Sequence, residues 1–214
     1  MIEIDFYFDP VSPYACLAFE RLPQVLEGRS FRVDYRPVLF AGMLAHWGQK
    51  GPAEIEPKRA WTFRQVGWQA HRHGLRLDTP AQHPFNPLAL LRLLTACAPE
   101  GRLPGRLACE QVLHHVWHGG EDANDPGRLA ALAERLQPVR DPASPEVKQA
   151  LREATDRAIA LGVFGVPTCV VDGRAYWGLD GLDMLVAALD GDVFLTGDGW
   201  DRAGAVRPGV RRGG

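Results

Sequence analysis

The chain has 214 residues, 46% of them hydrophobic and 23% charged, with a formal net charge of −2. This is ordinary globular composition, enough for one domain or for one domain with a large insertion, and it gives no electrostatic case for nucleic acid or an anionic membrane surface as a partner. No apolar run approaches the roughly 18 residues needed to span a bilayer. The start Met1-Ile2-Glu3-Ile4-Asp5 also lacks the basic and apolar regions of a secretory signal, so a cytoplasmic location is expected.

Residues 2–8 alternate in character and read as a strand. Asp9-Pro10-Val11 is a short connection, after which Ser12-Pro13 opens a helix with Ser at the N-cap and Pro at the first helical position. That helix carries Tyr14, Leu17, Ala18, Leu22 and Val25 and ends near Gly28; residues 31–38 alternate again as a second strand. From about residue 40 to 161 the chain reads as almost entirely helical. Asn86-Pro87 repeats the cap-then-proline signal, Leu107 to Trp117 and Leu129 to Leu136 are amphipathic, and Ser144-Pro145 starts a last helix closed by Gly162. Strand character then returns at Thr168-Cys169-Val170-Val171, turns at Asp172-Gly173, and comes back through Ala175-Tyr176-Trp177 before a final helix with Leu182, Leu185, Val186 and Leu189.

A β-α-β unit, a run of helices, and a β-β-α unit with a proline just before its first strand form the thioredoxin-like arrangement. The expected fold is therefore α/β, thioredoxin-like, with a large all-helical insertion. Its expected divisions are 1–39 plus 162–195 for the thioredoxin-like part, 40–161 for the insertion, and 196–214 for a flexible, solvated tail holding Arg202, Arg207, Arg211 and Arg212. Redox members of this fold place Cys-x-x-Cys at the start of the first helix. Here Ser12 and Ala15 stand at those positions, so disulfide exchange lacks both its attacking and its resolving thiol. Cys16, Cys97, Cys109 and Cys169 are widely spaced and read as free, mostly buried thiols.

Several separated segments, in order, resemble the 2-hydroxychromene-2-carboxylate isomerases and the kappa-class glutathione transferases of the DsbA-like thioredoxin superfamily. They are Phe8-Asp9-Pro10-Val11-Ser12-Pro13-Tyr14, Trp47-Gly48-Gln49-Lys50-Gly51-Pro52 with Pro57-Lys58, Pro84-Phe85-Asn86, Gly162-Val163-Phe164-Gly165-Val166-Pro167-Thr168, and Tyr176-Trp177-Gly178-Leu179-Asp180.

The resemblance implies glutathione as cofactor, bound so that Ser12 hydrogen-bonds its sulfur; read from the residues alone, Ser12 is a simple helix cap. It implies a cis bond between Val166 and Pro167, turning the Val166 backbone toward the cysteinyl part of the tripeptide, where a trans proline opening the strand is the alternative. It implies that the backbone at Leu179 and the Asp180 carboxylate bind the γ-glutamyl end, whereas Asp180 alone is also a common helix cap. Gln49 and Lys58 would reach the glycyl carboxylate or an anionic substrate, or else they are solvated loop residues.

The sequence departs from the family pattern at Gln49, where the family has Asn, at Leu179, where it has Ser or Gln, and at Gly181, where it has Arg. Asn86 reads as a cap, and Trp61 and Trp68 as core or cleft wall. The implied activity is glutathione-dependent cis–trans isomerisation of an aromatic acid intermediate by a homodimer. A kappa-like transferase or peroxidase and a non-catalytic thioredoxin-like binding module are the alternatives. His114, His115 and His118 with Glu110 put two histidines on one helical face but supply no third ligand, so no metal is expected.

Overall fold

The computed structural model describes residues 1–207 and 209. Four strands form one mixed sheet in the order β2-β1-β3-β4, from β1 (Ile2–Phe8), β2 (Phe31–Pro37), β3 (Thr168–Val171) and β4 (Arg174–Trp177). β1 and β2 are parallel, joined through α1 (Pro13–Val25), while β3 runs antiparallel to both β1 and β4. The β3–β4 turn places Asp172 at φ 49° and Gly173 at φ 77°. This is the left-handed pair that a two-residue hairpin requires and that an Asp-Gly dipeptide tolerates.

Between β2 and β3 lie α2 (Phe40–His46), a 3-10 turn at Pro52–Glu54, α3 (Glu56–His73), α4 (Leu88–Ala96), α5 (Arg106–Trp117), α6 (Pro126–Leu136) and α7 (Pro145–Ala160). The expected helical starts are met at Ser144, whose Oγ accepts the Val147 N–H at 3.3 Å, and nearly so at Asn86. There the helix begins one residue later, at Leu88, and the Asn86 side chain accepts the Leu88 N–H at 3.1 Å.

The helical segment has no separate core. Phe6, Phe8, Leu17 and Leu22 of the sheet-and-α1 unit are buried in one cluster with Val66, Leu90, Leu94, Val116 and Trp117 from three helices of the segment. Burial of this apolar surface, at about 25 cal/mol per Å², is what fixes the insertion against the sheet. A smaller cluster of Tyr7, Val38, Met43, Ala158, Val163 and Val166 forms separately from it.

After α8 (Gly181–Leu189) the chain continues into α9 (Val193–Thr196) and α10 (Asp198–Gly204). The expected flexible tail is thus corrected over 198–204. The Trp200 ring lies tilted against Tyr176, centroids 5.7 Å apart, and packs on the main core, which gives that stretch an apolar reason to order. Arg202 lies in α10, whereas Arg211 and Arg212 lie outside the described residues. No helix among the described residues is long and apolar enough to cross a membrane.

Candidate active site

Ser12 caps α1, as its place before Pro13 predicts: its backbone is extended, and its Oγ accepts the Ala15 N–H at 3.3 Å. The same hydroxyl donates to the Val166 carbonyl, 154 residues away, at 3.3 Å. A hydroxyl has one proton and two lone pairs, so capping and contact with the distant loop coexist. The side chain stands where the unpaired N–H groups of α1 concentrate positive potential.

The Val166–Pro167 bond is cis. The Val166 side chain is buried in the smaller cluster, and Thr168 Oγ1 donates to the Gly165 carbonyl at 2.8 Å, so the loop is held from both sides. Among the described residues the Val166 N–H has no hydrogen-bond partner. The Pro167 carbonyl accepts the Gly178 N–H at 2.9 Å, which ties the loop to the Leu179–Asp180 segment.

Leu179 is buried in the main core. With that side chain turned inward, the segment offers only backbone, and the N–H groups of Leu179 and Asp180 are unpaired among the described residues. Asp180 occupies the N-cap position of α8 without making a side-chain cap bond, and it is exposed. Its carboxylate leans over Gly178: a Cβ there would lie 2.5 Å from Asp180 Oδ1, and the backbone is at φ +91°. Gly181 similarly lets α8 approach β4, since a Cβ would meet the Tyr176 carbonyl carbon at 2.9 Å. Ser12, Val166, Pro167, Leu179 and Asp180 therefore form one linked group.

Gln49 and Lys58 do not join it. Gln49 is exposed in the turn after α2, held only by its N–H on the Leu44 carbonyl at 2.8 Å. Lys58 is exposed on the first turn of α3. Neither side chain makes a hydrogen bond among the described residues. Trp61 and Trp68, expected in the core or a cleft wall, are 64% and 54% exposed on α3. The reason is that α3 buries only Val66 and Ala70.

Three residues that the sequence reading passed over hold the Ser12 loop. Asp9, fully buried, accepts the Val11 N–H with Oδ1 and the Phe40 N–H with Oδ2, both at 2.9 Å. Burial pushes its carboxyl up to about 7, against the pull of those two N–H groups. His83 Nε2 lies 2.8 Å from the Val11 carbonyl. A carbonyl can only accept, so Nε2 carries the proton. Burial lowers the His83 pKa, which keeps the ring neutral. Trp117 Nε1 donates to the Pro10 carbonyl at 2.9 Å. The one legible sign of this frame was Asp9 itself, a carboxylate set between Phe8 and Pro10 where the strand meets the core.

Cys16 is fully buried, and burial, followed by the field of Glu20, holds its thiol well above the usual range. Cys169 is pushed by burial up to about 12. Neither is a reactive thiolate near Ser12.

Residues 3–190 match the family described as DSBA-like thioredoxin domain. Among curated relatives, a 2-hydroxychromene-2-carboxylate isomerase of Sphingobium xenophagum is 29% identical over 196 residues, covering 87% of this chain and 97% of that protein. Glutathione S-transferase kappa 1 of Homo sapiens is 26% identical over 226 residues, covering 97% and 95%. A solved 2-hydroxychromene-2-carboxylate isomerase shares the fold with a TM-score of 0.78 at 23% identity, covering 96% of this chain and all of that one. By its sequence match and its architecture, the chain belongs to the DSBA-like thioredoxin domain family.

Proposed function

We propose that the protein is a glutathione-dependent cis–trans isomerase of the 2-hydroxychromene-2-carboxylate isomerase type, acting on an aromatic acid. The observation that carries this reading is the Ser12 hydroxyl at the N-terminus of α1, in contact with the Val166 carbonyl and with no competing thiolate beside it. The groups left unpaired suit a γ-glutamyl tripeptide. The Val166 N–H and C=O can bond an extended cysteinyl residue, as in strand addition. The free Leu179 and Asp180 N–H groups suit a carboxylate, and the Asp180 carboxylate suits an ammonium. Gln49 and Lys58 fit as exposed arms for a glycyl or substrate carboxylate.

Glutathione, when bound, supplies a thiolate able to add reversibly to a conjugated carbon, so that a double bond becomes single long enough to rotate. The protein's part is to favour the charged sulfur. The Ser12 hydroxyl turns from the Val166 carbonyl to donate to the sulfur, and the vacated carbonyl takes the cysteinyl N–H in its place. The α1 N–H groups add their dipole, which lowers a thiol from its ordinary value near 8.5. Because the Pro10 and Val11 carbonyls and the Val11 N–H are already bonded to Trp117, His83 and Asp9, little reorganisation accompanies that donation.

The test is the rate of chromene/benzalpyruvate equilibration with purified protein. Acceleration that requires glutathione and returns it unconsumed supports the reading, and an unchanged rate removes it. A kappa-like transferase is the second reading, favoured by the comparable similarity to kappa transferases. It requires a stable thioether product and loss of free glutathione.

A further inference from the structure

The histidines of α5 are not absorbed by the Ser12 site, and the structure sorts them. His115 turns inward, its Nε2 on the Ala123 carbonyl at 2.9 Å. His114 and His118 point the other way and stack on each other, ring centroids 3.9 Å apart. Glu110 and His114 fall at i and i+4 on α5, which puts them on one face, and His118 follows as the C-cap residue. Across from them stands Glu20 of α1, its Oε1 2.7 Å from His114 Nε2. Glu20 is the third ligand that the sequence alone did not offer.

We propose that Glu20, Glu110 and His114, with water completing the coordination, form a binding site for a divalent first-row metal ion, Zn²⁺ foremost. One ligand atom from each of the first three lies within 4.8 Å of the others. A modest closing of side chains brings them to the 2.0–2.2 Å bonds of a tetrahedral nitrogen and oxygen site. The two carboxylates neutralise the ion's charge, and a set with imidazole and no thiolate favours zinc over softer metals.

A second observation lies beside His114. His118 Nε2 and Gln111 Oε1 are buried with no hydrogen-bond partner, and both residues line a cleft of about 410 Å³ that His114, but neither glutamate, also lines. Unpaired buried polar atoms are costly, and a bound ion or its water would engage them. Of the cleft's cations, Arg128 is already engaged by Glu121 at 2.8 Å and by the His115 carbonyl; Arg135 also lines it.

Glu20 lies about 12 Å along the α1 axis from Ser12. An ion here would clamp α1, which presents Ser12, to α5, which ends in Trp117. It would act as a structural staple and needs no role in the reaction, so its fate is separate from that of the isomerase reading.

The experiment is titration of chelator-stripped full-length protein with ZnCl₂ by calorimetry, and with Co²⁺ by visible absorption. We expect one ion per chain with a dissociation constant of about 10 μM or below, and a rise in Tm of about 5–10 °C at a hundredfold excess over that constant. His114→Ala and the conservative Glu110→Gln should each weaken uptake at least about tenfold, while His71→Ala on α3 leaves it unchanged. Three results would overturn the proposal: no saturable uptake below about 1 mM, uptake unaltered by His114→Ala and Glu110→Gln, or a thiolate-to-cobalt charge-transfer band assigning the ion to cysteine. In the first case the Glu20–His114 contact is an ordinary hydrogen bond.

Discussion

The β1–α1 loop and the α2–α3 segment both contribute residues to the proposed glutathione site, yet they are built in opposite ways. In the first, Pro10, Val11 and Ser12 are bonded to Trp117, His83, Asp9 and Val166, four positions drawn from across the chain. In the second, Gln49 and Lys58 project from an exposed turn and an exposed helix face, with no side-chain bonds among the described residues. A group that must stabilise developing charge gains from being fixed before the reaction. A group that only gathers a carboxylate gains little from it and keeps its side-chain entropy until the ligand arrives. The fixed loop should therefore govern turnover and stability, and the loose arms should govern apparent affinity.

The largest expected effect is at Asp9. Its carboxyl is raised from 3.8 to about 7 in the folded protein. Between those values the unfolded chain releases a proton that the native protein keeps. Stability is therefore highest below pH 4, falls as pH climbs toward 7, and levels off above it, by about 4 kcal/mol in all from this one group. Urea unfolding at pH 4, 5.5, 7 and 8 should show that fall in the wild type. In Asp9→Asn, where nothing ionises, it should be flattened; equal slopes would mean that Asp9 is no buried anchor.

Next is Ser12→Ala, for which we expect glutathione-dependent turnover to fall about 10²- to 10³-fold, the range for loss of one donor to a developing anion. Glutathione binding by calorimetry should be largely kept. Smaller again is Trp117→Phe, which leaves the Pro10 carbonyl without its partner and should cost about 1–3 kcal/mol of stability in denaturant unfolding, with turnover reduced in parallel. The smallest effects belong to Gln49→Ala and Lys58→Ala. Each should raise the KM for glutathione or the acid substrate a few-fold at nearly constant kcat, with stability changed by less than about 0.5 kcal/mol. A fall in kcat equal to that of Ser12→Ala would erase the distinction between the two regions.

Much of this was legible where the chemistry is local. Ser12-Pro13 specified the start of α1, Asp172-Gly173 the β3–β4 hairpin, and Pro167 the approach to β3, because caps, turns and prolines act within a few residues. The isolation of Cys16 was legible too: one position past the motif, it faces the core. The frame behind Ser12 was not. The meetings of Asp9 with Phe40, His83 with Val11 and Trp117 with Pro10 span 31, 72 and 107 residues, and no periodicity reports contacts between elements so far apart. The same holds for Glu20 and His114, 94 residues apart, and for the exposed tryptophans of α3, whose helix buries only Val66 and Ala70. Trp200 shows the converse: a stretch rich in Gly and Asp reads as tail until one aromatic ring finds Tyr176.

The central claim is that Ser12 stabilises the glutathione thiolate, and titrating that thiolate on the protein tests it most directly. Ultraviolet thiolate absorbance of bound glutathione, followed from pH 5 to 10, should give an apparent pKa well below the free thiol value of about 8.5 in the wild type. In Ser12→Ala it should return most of the way to that value. Identical titrations in the two proteins would contradict the account and leave Ser12 as the cap of α1 alone.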